Sequence, residues 1–259
     1  MLRKFRIVLA AIFFIMITLL LFTPVEVLHT WFGWMPGLQL PQSALAQNFI
    51  AVVAVVVLTI LFGRVYCSIL CPLGVFQDIV SWLGGKSKKA AKNYHYKKEN
   101  YWLRYGMLVV FAVGMALGFY EIACLIAPYS IFSIVLGNLL GPIQAWINPI
   151  LIASAVIFVV IIVLAWRGGR TWCNNICPIG TALSLFSRFS LFCPVIDKDK
   201  CVNCGLCEKQ CKAFCIDSAN HKIDHSRCVD CMNCINGCNK GAISYKWHYA
   251  KQSSKNTTK

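Results

Sequence analysis

Between Cys201 and Cys238 the chain reads C-V-N-C-G-L-C-E-K-Q-C, then a spacer, then C-V-D-C-M-N-C-I-N-G-C. Each half is C-x2-C-x2-C-x3-C, the spacing by which a polypeptide holds cubane iron–sulfur clusters. The first three cysteines of such a run lie on a tight loop and reach three irons of one cube. The fourth completes the cube of the other half. That rule assigns Cys201, Cys204, Cys207 and Cys238 to one [4Fe-4S] cluster, and Cys228, Cys231, Cys234 and Cys211 to a second. Zinc favours isolated C-x2-C pairs in groups of four ligands, and disulfides need an oxidising compartment. Neither accounts for two in-register copies. The stretch therefore demands a small bacterial-type two-cluster ferredoxin domain, placed at residues 191–250, with a polar tail at 251–259 expected to be disordered.

The rest of the chain is too apolar for a soluble domain. Of its 259 residues, 58% are hydrophobic, and the mean hydropathy is +0.63, where soluble domains are about half apolar. Long uncharged runs supply the excess. They predict four membrane spans, roughly 7–23, 48–63, 102–119 and 149–166, near the length that crosses a bilayer. A short amphipathic piece is expected at 75–83 and a shallow helix at 130–139. The opening M-L-R-K-F-R and its apolar run lack a small-residue cleavage site, so they read as a retained span. Every Lys and Arg falls at 3–6, at 64, within 86–104, at 167 and 170, or from 188 onward. Positive loops stay in the cytoplasm. Both termini are thus assigned to the cytoplasmic side of a bacterial inner membrane, and a fifth crossing is rejected. The net charge of +15 then reports topology, not nucleic-acid binding, and the block 86–98 is placed to touch anionic lipid headgroups. The expected architecture is an all-α, four-span membrane domain over 1–190, carrying the ferredoxin domain.

That membrane domain contains an internal repeat. Gly63-Arg64-x-aromatic-Cys67-x3-Cys71-Pro72-x-Gly74 matches Gly169-Arg170-x-aromatic-Cys173-x3-Cys177-Pro178-x-Gly180. Copies at 63–74 and 169–180, each after a helix of the same direction, imply duplicated helical hairpins and a pseudo-two-fold axis along the membrane normal. Cysteines four apart share one face of a helical turn, and a following proline suits the first position of a new helix. Amide donors at that helix start favour thiolate or cluster charge. Two readings stay open. Cys67, Cys71, Cys173 and Cys177 jointly ligate a metal centre, a third iron–sulfur cluster at the cytoplasmic membrane edge, or they pack structurally or do thiol chemistry.

Other residues are weighed in the same way. Cys124, Cys193 and Cys215 read as inert packing, although Cys215, four residues after Cys211, is placed to compete as a ligand. His221, His225 and His248 flank the cluster loops as surface residues. Glu26, His29 and Glu121 are the ionisable candidates on the far side. They are either proton acceptors beside a quinone slot or solvated loop residues.

Four spans, a duplicated C-x3-C-P and a C-terminal pair of ferredoxin motifs resemble the NapH/NosR-type membrane polyferredoxins, over about residues 1–245. The combination is specific to that family, not to one member, and the length suits its short, NapH-like members. The resemblance implies an electron-transfer subunit that oxidises a membrane quinol and passes electrons through iron–sulfur centres to a partner redox protein or metalloenzyme system. It does not imply a stand-alone enzyme. The alternative is an assembly or regulatory factor for a metalloenzyme, using its clusters for reduction or sensing. One departure stands out: the family places proline after each fourth cysteine, and this chain has Lys212 and Asn239 there. Proline ligates nothing, so cluster binding survives the change.

Overall fold

The computed structural model describes residues 2–22, 49–86, 94–120, 125–139 and 148–248. Helix α1, Leu2–Phe22, is an apolar run without Gly or Pro. It begins before the expected residue 7 and takes in Arg3, Lys4 and Arg6, the last donating to Asp78 at 3.1 Å. Helix α2, Phe49–Phe62, stops at Gly63, whose φ of +75° suits glycine. Helix α3, Pro72–Lys86, extends the amphipathic piece expected at 75–83. Helix α4, Tyr101–Ala116, starts where the Asn100 side chain accepts from Leu103 N. Helix α5, Pro128–Gly137, falls close to the shallow helix expected at 130–139. Helix α6, Pro149–Gly168, has an Asn148 cap, proline at its first position and a positive-φ Gly169 at its end.

Two of these helices, α1 and α6, are long and apolar enough to cross a membrane. The described parts of the other two expected spans are shorter, 14 residues in α2 and 16 in α4. Large apolar side chains stay exposed along the long pair: Ile7, Ile12 and Ile15 on α1, and Val156, Val159 and Val163 on α6.

Inside, α6 packs on α3 and α5, while α1 closes over α3 and the wide π turn Tyr66–Leu70. Their shared core includes Val55, Leu73, Phe132, Phe158, Ile161 and Trp172. Two short helices, α7 (Thr171–Asn175) and α8 (Pro178–Ser187), follow α6, and α8 packs against α2 and α4.

The C-terminal lobe is not purely loops. Strand β1, Phe192–Ile196, pairs antiparallel with the last strand, Ile243–Trp247, joining Phe192 to Trp247 and Ile196 to Ile243. A smaller ladder joins Ile216–Asp217 to Lys222–Ile223. Two one-turn helices, Leu206–Lys209 and Asn233–Asn236, sit between the ladders in chain order. The sheet abuts the end of α2, where Leu191 N donates to Ile60 O at 2.9 Å and Phe62 stacks on Phe192.

Candidate iron–sulfur sites

Two cavities in the C-terminal lobe are lined by cysteines from both halves of the repeated motif. Cys201, Cys204, Cys207 and Cys238 line one of about 180 Å³. Cys211, Cys228, Cys231 and Cys234 line a second, tighter one together with Cys215. The loops that carry them turn sharply, with positive φ at Asn203, Asp230 and Met232 and at Gly205. Such turns aim successive amides and thiols inward. Ala242 N, for instance, donates to the Cys238 sulfur at 3.3 Å. Cys204 is exposed, whereas Cys211 and Cys234 are buried.

Cys215 does not stand apart. Its sulfur lies 3.5 Å from that of Cys211 and it also meets Cys228. The contact lowers the Cys211 thiol and raises that of Cys215. A fifth thiol in the wall of the second cavity is thus a sulfur neighbour to two candidate ligands.

The two C-x3-C-P segments hold each other. Arg64 Nη2 donates to Cys173 O at 3.1 Å, and Arg170 Nη1 donates to Cys67 O at 2.5 Å. Both guanidiniums are fully buried. Gly74 and Gly180 make room for this exchange. A Cβ on Gly74 would collide with Cys67 O and crowd Arg170, and one on Gly180 would collide with Cys173 O and Arg64. Each segment restarts a helix at its proline, and the Cys177 sulfur accepts from Gly180 N as the cap of α8. Cys67, Cys71, Cys173 and Cys177 are all buried. Burial, reinforced by the neighbouring thiols, raises the Cys71 and Cys177 thiols well above the ordinary range. Beside them Gln77 accepts from the Cys173 thiol, and the buried Gln77 Nε2, Arg170 Nη2 and Trp172 Nε1 have no partner among the described residues. Four converging thiols with orphaned buried donors around them suit an anionic group.

The second cysteine set is clamped onto this base. Arg170 N donates to Lys212 O at 3.0 Å, and Asn174 Nδ2 donates to Ala213 O at 2.9 Å. Arg64 and Arg104 both donate to Ser226 O, at 3.3 and 3.1 Å. A Cβ on Gly63 would strike the Asp230 carboxylate, and one on Gly169 would strike Lys212. Asp78 is the ionic centre of the junction, reached by Arg170, Lys212 and Arg6 at 2.9, 3.0 and 3.1 Å. Burial opposes its ionisation, but the three cations outweigh burial and hold the carboxyl well below the usual range. Lys212, one of the two residues that replace the family's proline, thus acquires an electrostatic task. Asp78 carries no motif, and its link to Arg170 spans 92 residues, so sequence alone did not single it out.

Cys193, expected to pack inertly, lies 3.1 Å from His248 Nδ1. His225 and His248 meet edge to face at 5.1 Å, and both are half-buried, which corrects their reading as surface residues. Glu26, His29, Glu121 and Cys124 lie outside the described residues.

The fold and its cysteine sets define a ferredoxin-type iron–sulfur protein. The family described as 4Fe-4S binding domain matches residues 48–90 and 150–194, the two segments that contain the C-x3-C-P motifs. The chain is 29% identical over 200 residues to an uncharacterized protein of Methanocaldococcus jannaschii, covering 76% of this chain and 70% of that one. It is 30% identical to the ferredoxin-type protein NapH of Haemophilus influenzae, over 62% of this chain and 52% of NapH. It is 29% identical to the methylamine utilization ferredoxin-type protein MauN of Paracoccus denitrificans, over 58% of this chain and 48% of MauN. The aligned part thus spans about half of these two named relatives. No solved structure matches. The 4Fe-4S match and the relatives named NapH, MauN and NosR support a place among the NapH/NosR-type polyferredoxins and a role in iron–sulfur electron transfer.

Proposed function

We propose that this protein carries electrons between the quinone pool and a partner oxidoreductase, as the quinol-oxidising membrane component of such a system. The observation that carries the reading is the joining of cysteine sets: the Cys211/Cys228/Cys231/Cys234 set is clamped directly onto the C-x3-C-P tetrad, and the Cys201/Cys204/Cys207/Cys238 set, with exposed Cys204, lies in the same lobe. The donor chemistry fits iron–sulfur groups at all three, since thiolates are their usual ligands. When bound, such groups supply one-electron transfer at a potential set by charge, hydrogen bonding and exposure.

The chain's own residues do the rest. Cysteine thiolates hold the iron. Arg64 and Arg170 place buried positive charge beside the tetrad. Amides such as Ala242 N and Gly180 N donate to sulfur, and the α2–α6 core keeps water away from the base. The exposed apolar faces of α1 and α6 support a membrane location; the reading adds two further spans related by duplication, with the termini and cysteine sets on the cytoplasmic side. Domain limits at 190 and 250 follow from the same reading. Glu26, His29 and Glu121 are assigned to proton uptake from quinol at the opposite face.

Iron and acid-labile sulfide per chain test the tetrad. Two cubes require about eight irons and three about twelve. In anaerobically purified protein we expect the higher count, and Cys67→Ser with Cys177→Ser should return it to about eight. A wild-type count of about eight would remove the tetrad from the relay.

A further inference from the structure

Beside the second cysteine set, whose cavity Pro194 helps to line, lies a fourth cluster of ligand-bearing side chains. Cys193 comes from β1, His248 directly follows the strand paired with β1, and His225 comes from the turn whose Ser226 carbonyl is gripped by Arg64 and Arg104. One ligand atom from each of Cys193, His225 and His248 lies within 4.8 Å of the other two. The Cys193 sulfur and His248 Nδ1 are 3.1 Å apart. In a tetrahedral zinc site, metal–sulfur and metal–nitrogen bonds of about 2.3 and 2.0 Å leave such ligand atoms about 3.5 Å apart. That pair therefore needs to open by only a few tenths of an ångström to admit an ion.

Two further observations bear on the cluster. His225 Nδ1 is buried with no hydrogen-bond partner among the described residues, although a ring nitrogen in such a place ordinarily finds one. Its backbone is fixed, because the His225 carbonyl accepts from Ser187 Oγ at 3.1 Å. Cys193 is 1% exposed, so it is screened from bulk oxidants.

We infer that Cys193, His225 and His248 form a mononuclear site for a divalent cation of the zinc class, with a fourth position left for water or a further donor. Two imidazoles and one thiolate are borderline-soft donors and select zinc over magnesium or calcium. On binding, the sulfur–metal bond replaces the Cys193 S–H bond and the proton leaves to solvent. The ion ties the end of the C-terminal strand to the 225–227 turn, and so fastens the sheet to the turn that Arg64 and Arg104 hold on the base. The inference is independent of quinol chemistry and of the tetrad.

The test uses the iron-loaded full chain, so that the ferredoxin cysteines are already occupied. Protein incubated with zinc and desalted should retain about one zinc per chain, and zinc-edge X-ray absorption should show one sulfur at about 2.3 Å with nitrogens near 2.0–2.1 Å. Cys193→Ser and His248→Gln should each lower retained zinc at least about tenfold while iron per chain stays unchanged. Absence of retained zinc in the wild type overturns the inference. So does an all-sulfur shell, which would mean zinc in place of iron in a cube, or full retention in Cys193→Ser. If Cys193→Ser fails to fold, the wild-type spectrum and His248→Gln still decide.

Discussion

Asp78 shows how much one residue can hold. A carboxylate with a side chain about a tenth exposed answers three cations from three parts of the chain: Arg6 of α1, Arg170 of the second repeat and Lys212 of the ferredoxin lobe. Removing one partner from a buried pair leaves uncompensated charge, which typically costs about 3–5 kcal/mol. Asp78→Asn is therefore expected to destabilise the protein by that order, read as a lower melting temperature and faster proteolysis between residues 190 and 212. Lys212→Ala removes a single, more exposed partner and should cost less. The pH dependence has a definite sign. The folded carboxyl sits well below its unfolded value of about 4, so its stabilisation is complete above about pH 5. It is lost progressively as pH falls below about 4. Wild-type stability should drop in that acid window, and the Asp78→Asn variant should show a shallower drop.

Among the elements, the two glycine–arginine turns and the prolines that restart α3 and α8 set the geometry. Gly63 and Gly169 end their helices at positive φ and lie flush against Asp230 and Lys212. Gly74 and Gly180 let each arginine cross to the opposite segment. Overpacking a tight site costs about 1–3 kcal/mol. Gly180→Ala should lower the melting temperature accordingly and reduce iron retained by the tetrad, because the added methyl collides with Cys173 O and Arg64 Nη2. Gly106→Ala is the control: it lies on exposed α4 with nothing within 4 Å of the new methyl, and should be neutral or stabilising by about 1 kcal/mol. Equal losses from both substitutions would show that the crossing arginines do not set this fit. The helices themselves were legible from apolar runs and breakers, since Pro128 and Pro149 open α5 and α6. The five-residue strands were not, because Phe192–Ile196 carries too short a pattern, with a proline inside it, to declare a sheet.

For the molecule as a whole, the proposed path runs from quinol, with Glu26, His29 and Glu121 as the proposed proton acceptors, to exposed Cys204. Substitutions at the first end should slow entry of electrons without disturbing iron. Glu121→Gln or His29→Ala is expected to reduce quinol-dependent reduction at least about tenfold, with iron content and the dithionite-reduced spectrum unchanged. Unchanged rates in both variants would place quinol elsewhere.

Sequence by itself determined the chemistry available. Ligand spacing is a local code, because a C-x2-C-x2-C-x3-C run declares its purpose within eleven residues, and the duplicated C-x3-C-P needs only twelve. What only the tertiary structure decided is how those runs meet. Arg64 and Arg170 reach carbonyls more than a hundred positions away. Asp78 gathers charges from both ends of the chain, and Cys193 finds His248 through antiparallel pairing across 55 residues. The physical reason is the same in each case. A buried charge or donor must be satisfied by whatever the fold brings near, and no local pattern records a partner chosen by packing.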